Sequence, residues 1–105
     1  MRNTYTQPVI QHYTVRANRG KPRIWLEGKR LAAAGFNAGD RFEIITTRTV
    51  GALLILRKVD GERRISGNES RPIIDLSGSS CYPFATGDAV SVEYSTGQII
   101  IRGEG

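Results

Sequence analysis

The sequence predicts a mostly β single domain assembled from two internal repeats, with one short helix in the first. Three observations predict it. A chain of 105 residues makes one compact domain, or two small lobes sharing a core. Apolar residues alternate at period two through several short segments bounded by Gly and Pro. And KPRIWLEGKRLAAAGFNAGD, Lys21 to Asp40, is nearly rewritten as RPIIDLSGSSCYPFATGD, Arg71 to Asp88.

The repeat is specific. Pro22, Ile24, Leu26 and Gly28 match Pro72, Ile74, Leu76 and Gly78 at an offset of 50. Phe36, Gly39 and Asp40 match Phe84, Gly87 and Asp88 at 48. Phe42 and Ile44 then match Val90 and Val92, and Gly51, Leu53, Leu54 and Ile55 match Gly97, Ile99, Ile100 and Ile101 at 46. Each change of offset is a short deletion where a loop or helix belongs. These correspondences place repeat one at residues 12–59, a polar connector at 60–70 and repeat two at 71–103. One copy is too short to bury a core alone, so the two are expected to fold as a unit.

Each element follows from local chemistry. QHYTVRA ahead of copy one is a strand candidate, matched ahead of copy two by GERRISG. In PRIWLEG, Ile24 and Leu26 point one way and Arg23, Trp25 and Glu27 the other. KRLAAAGF is rich in helix formers and closes at Gly35, a C-terminal cap residue. NAGD is a turn in which Gly39 supplies positive φ. RFEIITT and ALLILRKV form a strand pair through RTVG. Copy two repeats this with PIIDLSG, AVSVEYS, a tight TG turn and QIIIRG. Its middle, SSCYPF, contains Pro83 and is expected to form a turn or a single 3₁₀ turn.

The succession of strand, short helix, Gly-Asp turn and hairpin resembles the AbrB/MazE swapped-hairpin superfamily. Within it, copy one is most similar to the SymE-like branch, through Pro22, Ile24, Leu26, Gly28, Leu31, Ala33, Ala34, Gly35, Phe36 and Gly39. The resemblance covers residues 12–58 well and 71–103 weakly. It implies a small AbrB-like β-barrel in which two chains normally interlace their hairpins. Here one chain carries both halves, as a pseudo-dimer.

Charge divides the chain. The formal net charge is +5, with thirteen Lys/Arg against six Asp/Glu in residues 1–69, and two against four in residues 70–105. Such a split fits a face for an anionic partner, although a solvated basic surface produces the same total. The cations cluster as Arg16, Arg19, Lys21 and Arg23, followed by Lys29 and Arg30 at the helix start. The resemblance places these six on one DNA-facing side. Trp25 shares the face of Arg23, where it either stacks on a base or sugar or covers the barrel end. Copy two has Ile73, Asp75, Ser79 and Ser80 where copy one has Arg23, Trp25, Lys29 and Arg30. Outward Ile73 leaves room for a homodimer or another protein partner through the second repeat.

No catalytic set is recognisable. His12 is the sole histidine, and Cys81 the sole cysteine, with no cation adjacent in sequence to lower its pKa. Asp40 and Asp88 occupy equivalent turns, a pattern that backbone capping explains. No Cys/His spacing suits zinc, and no phosphate-binding glycine loop is present. The expected protein is therefore not an enzyme and needs no cofactor or metal. With no apolar run of membrane-spanning length and no signal core, it is expected in the cytoplasm, without a membrane partner. The expected function is DNA binding, as a transcriptional regulator or nucleoid-like protein. The alternatives are a SymE-like toxin of a toxin–antitoxin system acting on RNA or DNA, and a mobile-element inhibitor that binds a host protein. The chain closes on IIIRGEG without the acidic or apolar tail of MazE-like antitoxins.

Overall fold

In the computed structural model, residues 9–47 and 53–104 are described. The RTVG link expected between the strands of the first hairpin lies outside them. Among the described residues, ten strands run in chain order: β1 (Val9–Thr14), β2 (Arg16–Asn18), β3 (Lys21–Glu27), β4 (Arg41–Thr47), β5 (Leu53–Arg57), β6 (Arg63–Arg64), β7 (Ser66–Asn68), β8 (Arg71–Ser77), β9 (Ala89–Ser95) and β10 (Gln98–Gly103). One helix, α1 (Lys29–Ala33), follows β3, and a 3₁₀ turn over Gly78–Cys81 follows β8 at the corresponding place.

The strands form two sheets. One has the order β1-β9-β10-β5-β4-β6, the other β2-β3-β8-β7. The mostly β class is as expected, with the strands in two sheets rather than a closed barrel. Among the described residues, no strand pairing joins the two sheets, so the hydrogen-bonded ladder is not closed. The layers are linked instead by chain that turns the corner between them. β1 runs into β2 through Val15, and β6 into β7 through Ile65, both residues only 1% exposed. At these corners the amides need partners. Val15 N–H donates to the Asp88 carbonyl and Ile65 N–H to the Asp40 carbonyl, each at 2.9 Å. The amides of Gly87 and Gly39 return bonds of 2.8 Å to the carbonyls of Val15 and Ile65. Each Gly-Asp turn thus clamps the corner contributed by the other half.

A pseudo-twofold axis relates the halves. β3 pairs antiparallel with β8 so that Trp25 faces Asp75, its own equivalent in the repeat. β5 pairs antiparallel with β10 so that Ile55 faces Ile100. β1 lies on β9 of the other half, and β6 on β4, so the halves are interlaced. The connector over 60–70 requires correction, since it contains β6, the Ile65 corner and β7. GERRISG, the strand candidate, is present there as β6 and β7, which pair with β4 and β8, so only the reading of 60–70 as a connector fails. The repeat therefore extends upstream at the offset of 50, with Val15, Asn18 and Pro22 matching Ile65, Asn68 and Pro72.

The last strand requires a second correction. Leu54 and Leu56 are buried, as are Ile99 and Ile101, which makes the structural offset 45 rather than 46. A slip of one residue would turn every side chain to the opposite face.

The core is one apolar cluster containing Ile24, Leu26, Leu31, Phe36, Leu54, Leu56, Ile74, Leu76, Tyr94, Ile99 and Ile101, with the corner residues Val15 and Ile65. Helix α1 buries only Leu31, and it ends as the sequence implies. Gly35 adopts φ 90°. Its amide donates to Ala32, and that of Phe36 to Leu31, each at 2.9 Å. This is the Schellman arrangement, which needs a left-handed residue at that position. Gly67 is restricted differently: with φ 89°, an added Cβ would also meet the Arg71 carbonyl.

Because the halves share one core, they should unfold together. Urea titration followed by Trp25 fluorescence in one half and Cys81 thiol accessibility in the other is expected to give a single coincident transition. Leu26→Ala should lower stability by about 2–5 kcal/mol on both probes, through the cavity it opens. Separate transitions would show the halves to be independent.

Candidate functional site

The outer face of the four-stranded sheet carries the residues of interest. β2 pairs with β3 so that Arg16 lies beside Arg23 and Asn18 beside Lys21. β3 in turn sets Arg23 beside Ser77, Trp25 beside Asp75 and Glu27 beside Ile73. Alternation sends Ile24 and Leu26 into the core and leaves Arg23 and Trp25 half-buried on the outside, as expected.

At the pseudo-twofold axis the two halves chemically disagree. Arg23 donates two hydrogen bonds to Asp75, Nε to Oδ1 and Nη2 to Oδ2, both at 2.9 Å. These bonds raise the guanidinium pKa above its already high value, so Arg23 stays charged. Its Cζ lies 4.6 Å from the centre of the Trp25 ring. The indole is held in turn, with Nε1–H donating to Glu27 Oε1 at 2.7 Å. The Trp25 amide donates to the Tyr13 hydroxyl oxygen at 3.0 Å. Tyr13, Arg16, Ala17, Arg23 and Trp25 line an open pocket of about 270 Å³.

The six cations expected along one side fall into separate groups. Arg16 and Arg23 share the pocket. Arg19 and Lys21 are exposed at the β2–β3 turn, where Arg19 has φ 56° and Gly20 φ 79°. Positive φ at both central residues suits a two-residue hairpin of type I′, although arginine is an unusual occupant. Lys29 and Arg30 are exposed on α1, at the far end of β3, roughly 20 Å from Lys21. Arg23 is committed to Asp75, a residue 52 positions away that local patterning does not connect with it. Arg16, Arg19, Lys21 and Lys29 have no carboxylate partner among the described residues.

The equivalent hairpin in copy two differs. Ser66 and Glu69 stand in place of Arg16 and Arg19, and Arg71 lies 3.9 Å from Glu27. The outward Ile73 is half-buried between Glu27 and Ser66.

The remaining candidates have structural roles. Asp40 Oδ2 accepts the Asn37 amide at 3.1 Å, and Asp88 Oδ2 the Ala85 amide at 2.8 Å, so both cap their turns. Partial burial pushes the Asp40 carboxyl up, but the Asn37 amide and the Lys58 ammonium outweigh it and hold it below the usual range. Cys81 is fully buried, its thiol donating to the Leu76 carbonyl, and burial pushes its pKa up. His12 is exposed and bonds through Nδ1 to Glu104, a pairing across 92 residues that sequence reading missed. Among the described residues, no group of His, Cys, Asp and Glu could hold a metal ion, and no helix is long and apolar enough to cross a membrane.

Comparison with protein-family models, curated proteins and solved structures finds no match.

The Asp40 turn provides a pH test. A carboxyl with a lowered folded pKa adds stability that is fully present above its unfolded value and is lost as pH falls through the folded one. Urea midpoints should therefore drop on acidification below about pH 4. Asp40→Asn should start from a lower midpoint at neutral pH and show a shallower decline.

Proposed function

We propose that this chain binds nucleic acid, with DNA favoured over RNA, through the β2–β3 hairpin, as a regulator or nucleoid-like protein of the AbrB-like swapped-hairpin class. One observation carries the reading. Two hairpins equivalent in backbone differ in charge: β2–β3 presents Arg16, Arg19 and Lys21 without carboxylate partners, while β7–β8 presents Ser66, Glu69 and an Arg71 lying close to Glu27. A basic surface kept only for solubility has no need of that contrast. An anionic polymer laid against one half does, because each unpaired cation can displace counterions from a phosphate.

The interlaced halves and pseudo-twofold axis support the class as well, since swapped-hairpin proteins build such an axis from two chains. With one basic half, this chain presents an asymmetric footprint rather than the matched pair of a palindrome reader.

Fluorescence anisotropy with a labelled duplex over a range of salt tests the reading. With three to four phosphate contacts, log affinity against log salt should have a slope of about −3 to −4. Arg16→Ala should make that slope shallower by about one. Asp75→Asn releases Arg23 and should strengthen binding several-fold, with a correspondingly steeper slope. A flat salt response overturns the proposal.

A further inference from the structure

We infer that the pocket lined by Tyr13, Arg16, Ala17, Arg23 and Trp25 accepts one unstacked base of a single-stranded nucleic acid, with the adjoining phosphate on Arg16. The inference rests on the proposed nucleic-acid function and deepens it by naming the form of the ligand.

Size limits the occupant. At about 270 Å³, the pocket lies at or below the small end of ordinary ligand sites, room for one ring system rather than an extended molecule. Its platform is flat and rigid. Both Arg23–Asp75 hydrogen bonds hold the guanidinium in place, and the Trp25 ring backs it at 4.6 Å. The bond from Trp25 to Glu27 fixes the indole. A guanidinium whose fork is already filled is a poor phosphate ligand, yet its planar face still stacks on bases.

The polar groups complete the site. Tyr13 uses its hydroxyl oxygen to accept the Trp25 amide, which leaves its O–H proton to donate to a base edge. Arg16, beside Arg23 across the β2–β3 pair, has no carboxylate partner among the described residues and can take the phosphate. The nearest carboxylates are already engaged, Asp75 by Arg23 and Glu27 by Trp25. A base inside a duplex has both faces covered by its neighbours, so this platform selects single strands, loops or frayed ends. The equivalent positions in copy two are Arg63, Ser66, Gly67, Ile73 and Asp75. They contain no aromatic ring, so the chain has one such pocket in its two halves.

Trp25 is the only tryptophan, so intrinsic fluorescence of the whole protein reports on the pocket. The test titrates it at low salt with length-matched ligands: oligo-dT, oligo-U, a duplex, and an abasic deoxyribose-phosphate strand. Base-bearing single strands are expected to quench Trp25 and to bind at least about 10-fold more tightly than the abasic strand. The oligo-dT and oligo-U arms distinguish a DNA from an RNA source. Ala17→Phe, which fills the pocket, should abolish the base preference while keeping the salt dependence. Should that variant fail to fold, the wild-type comparison decides alone. Equal binding of abasic and base-bearing strands without quenching overturns the inference and leaves the basic-hairpin function standing. Absence of binding to every ligand removes both.

Discussion

The pairing of β3 with β8 is the constraint on which the rest of the structure depends. It buries Ile24 and Leu26 against Ile74 and Leu76, all at most 1% exposed, and brings the two repeats face to face on the pseudo-twofold axis. Without it, each repeat would expose a strand edge and half a core, which about 40 residues cannot make stable. Helix α1 and the 3₁₀ turn of the second half occupy equivalent places after β3 and β8, with Leu31 and Cys81 as their buried anchors.

The corners make the two sheets interdependent. A strand that leaves one sheet for the other must satisfy its amides at the bend, and here each bend relies on the Gly-Asp turn of the opposite repeat. This gives Asp40 and Asp88 a structural task, with carboxylates capping turns whose backbone carbonyls hold Ile65 and Val15. Carboxylates so occupied are poorly placed for acid–base chemistry. The likeness between the repeats at these positions reflects a shared mechanical requirement.

Elsewhere the repeats have diverged, and they have done so at the axis itself. Symmetry puts equivalent residues opposite each other in β3 and β8, so unlike residues there meet directly. Trp25 opposite Asp75 permits what a symmetric pair does not: the carboxylate draws Arg23 across the sheet and lays it on the indole. One substitution relative to the repeat therefore neutralises a cation and builds a flat platform. Among the described residues, Arg19 and Lys21 at the hairpin tip and Lys29 on α1 keep no carboxylate partner, at opposite ends of β3.

From the sequence alone came the mostly β class, the helix end at Gly35, the Gly-Asp turns and the inward face of β3, because each depends on neighbours within a few residues, and the duplication, because matching residues recur in the same order along the chain. The register of β10 was hidden. LLIL and III are uninterrupted apolar runs, and period two cannot indicate which of their residues face inward. Pairing of Ile55 with Ile100 across the axis settles it. The strands inside 60–70 were legible only through the match of GERRISG to QHYTVRA, since their polar composition by itself reads as a connector and edge backbone pairs whatever its side chains. Which cations remain free was likewise decided by tertiary structure, because a carboxylate 52 residues away comes within 2.9 Å of Arg23 only after the two repeats have folded onto each other.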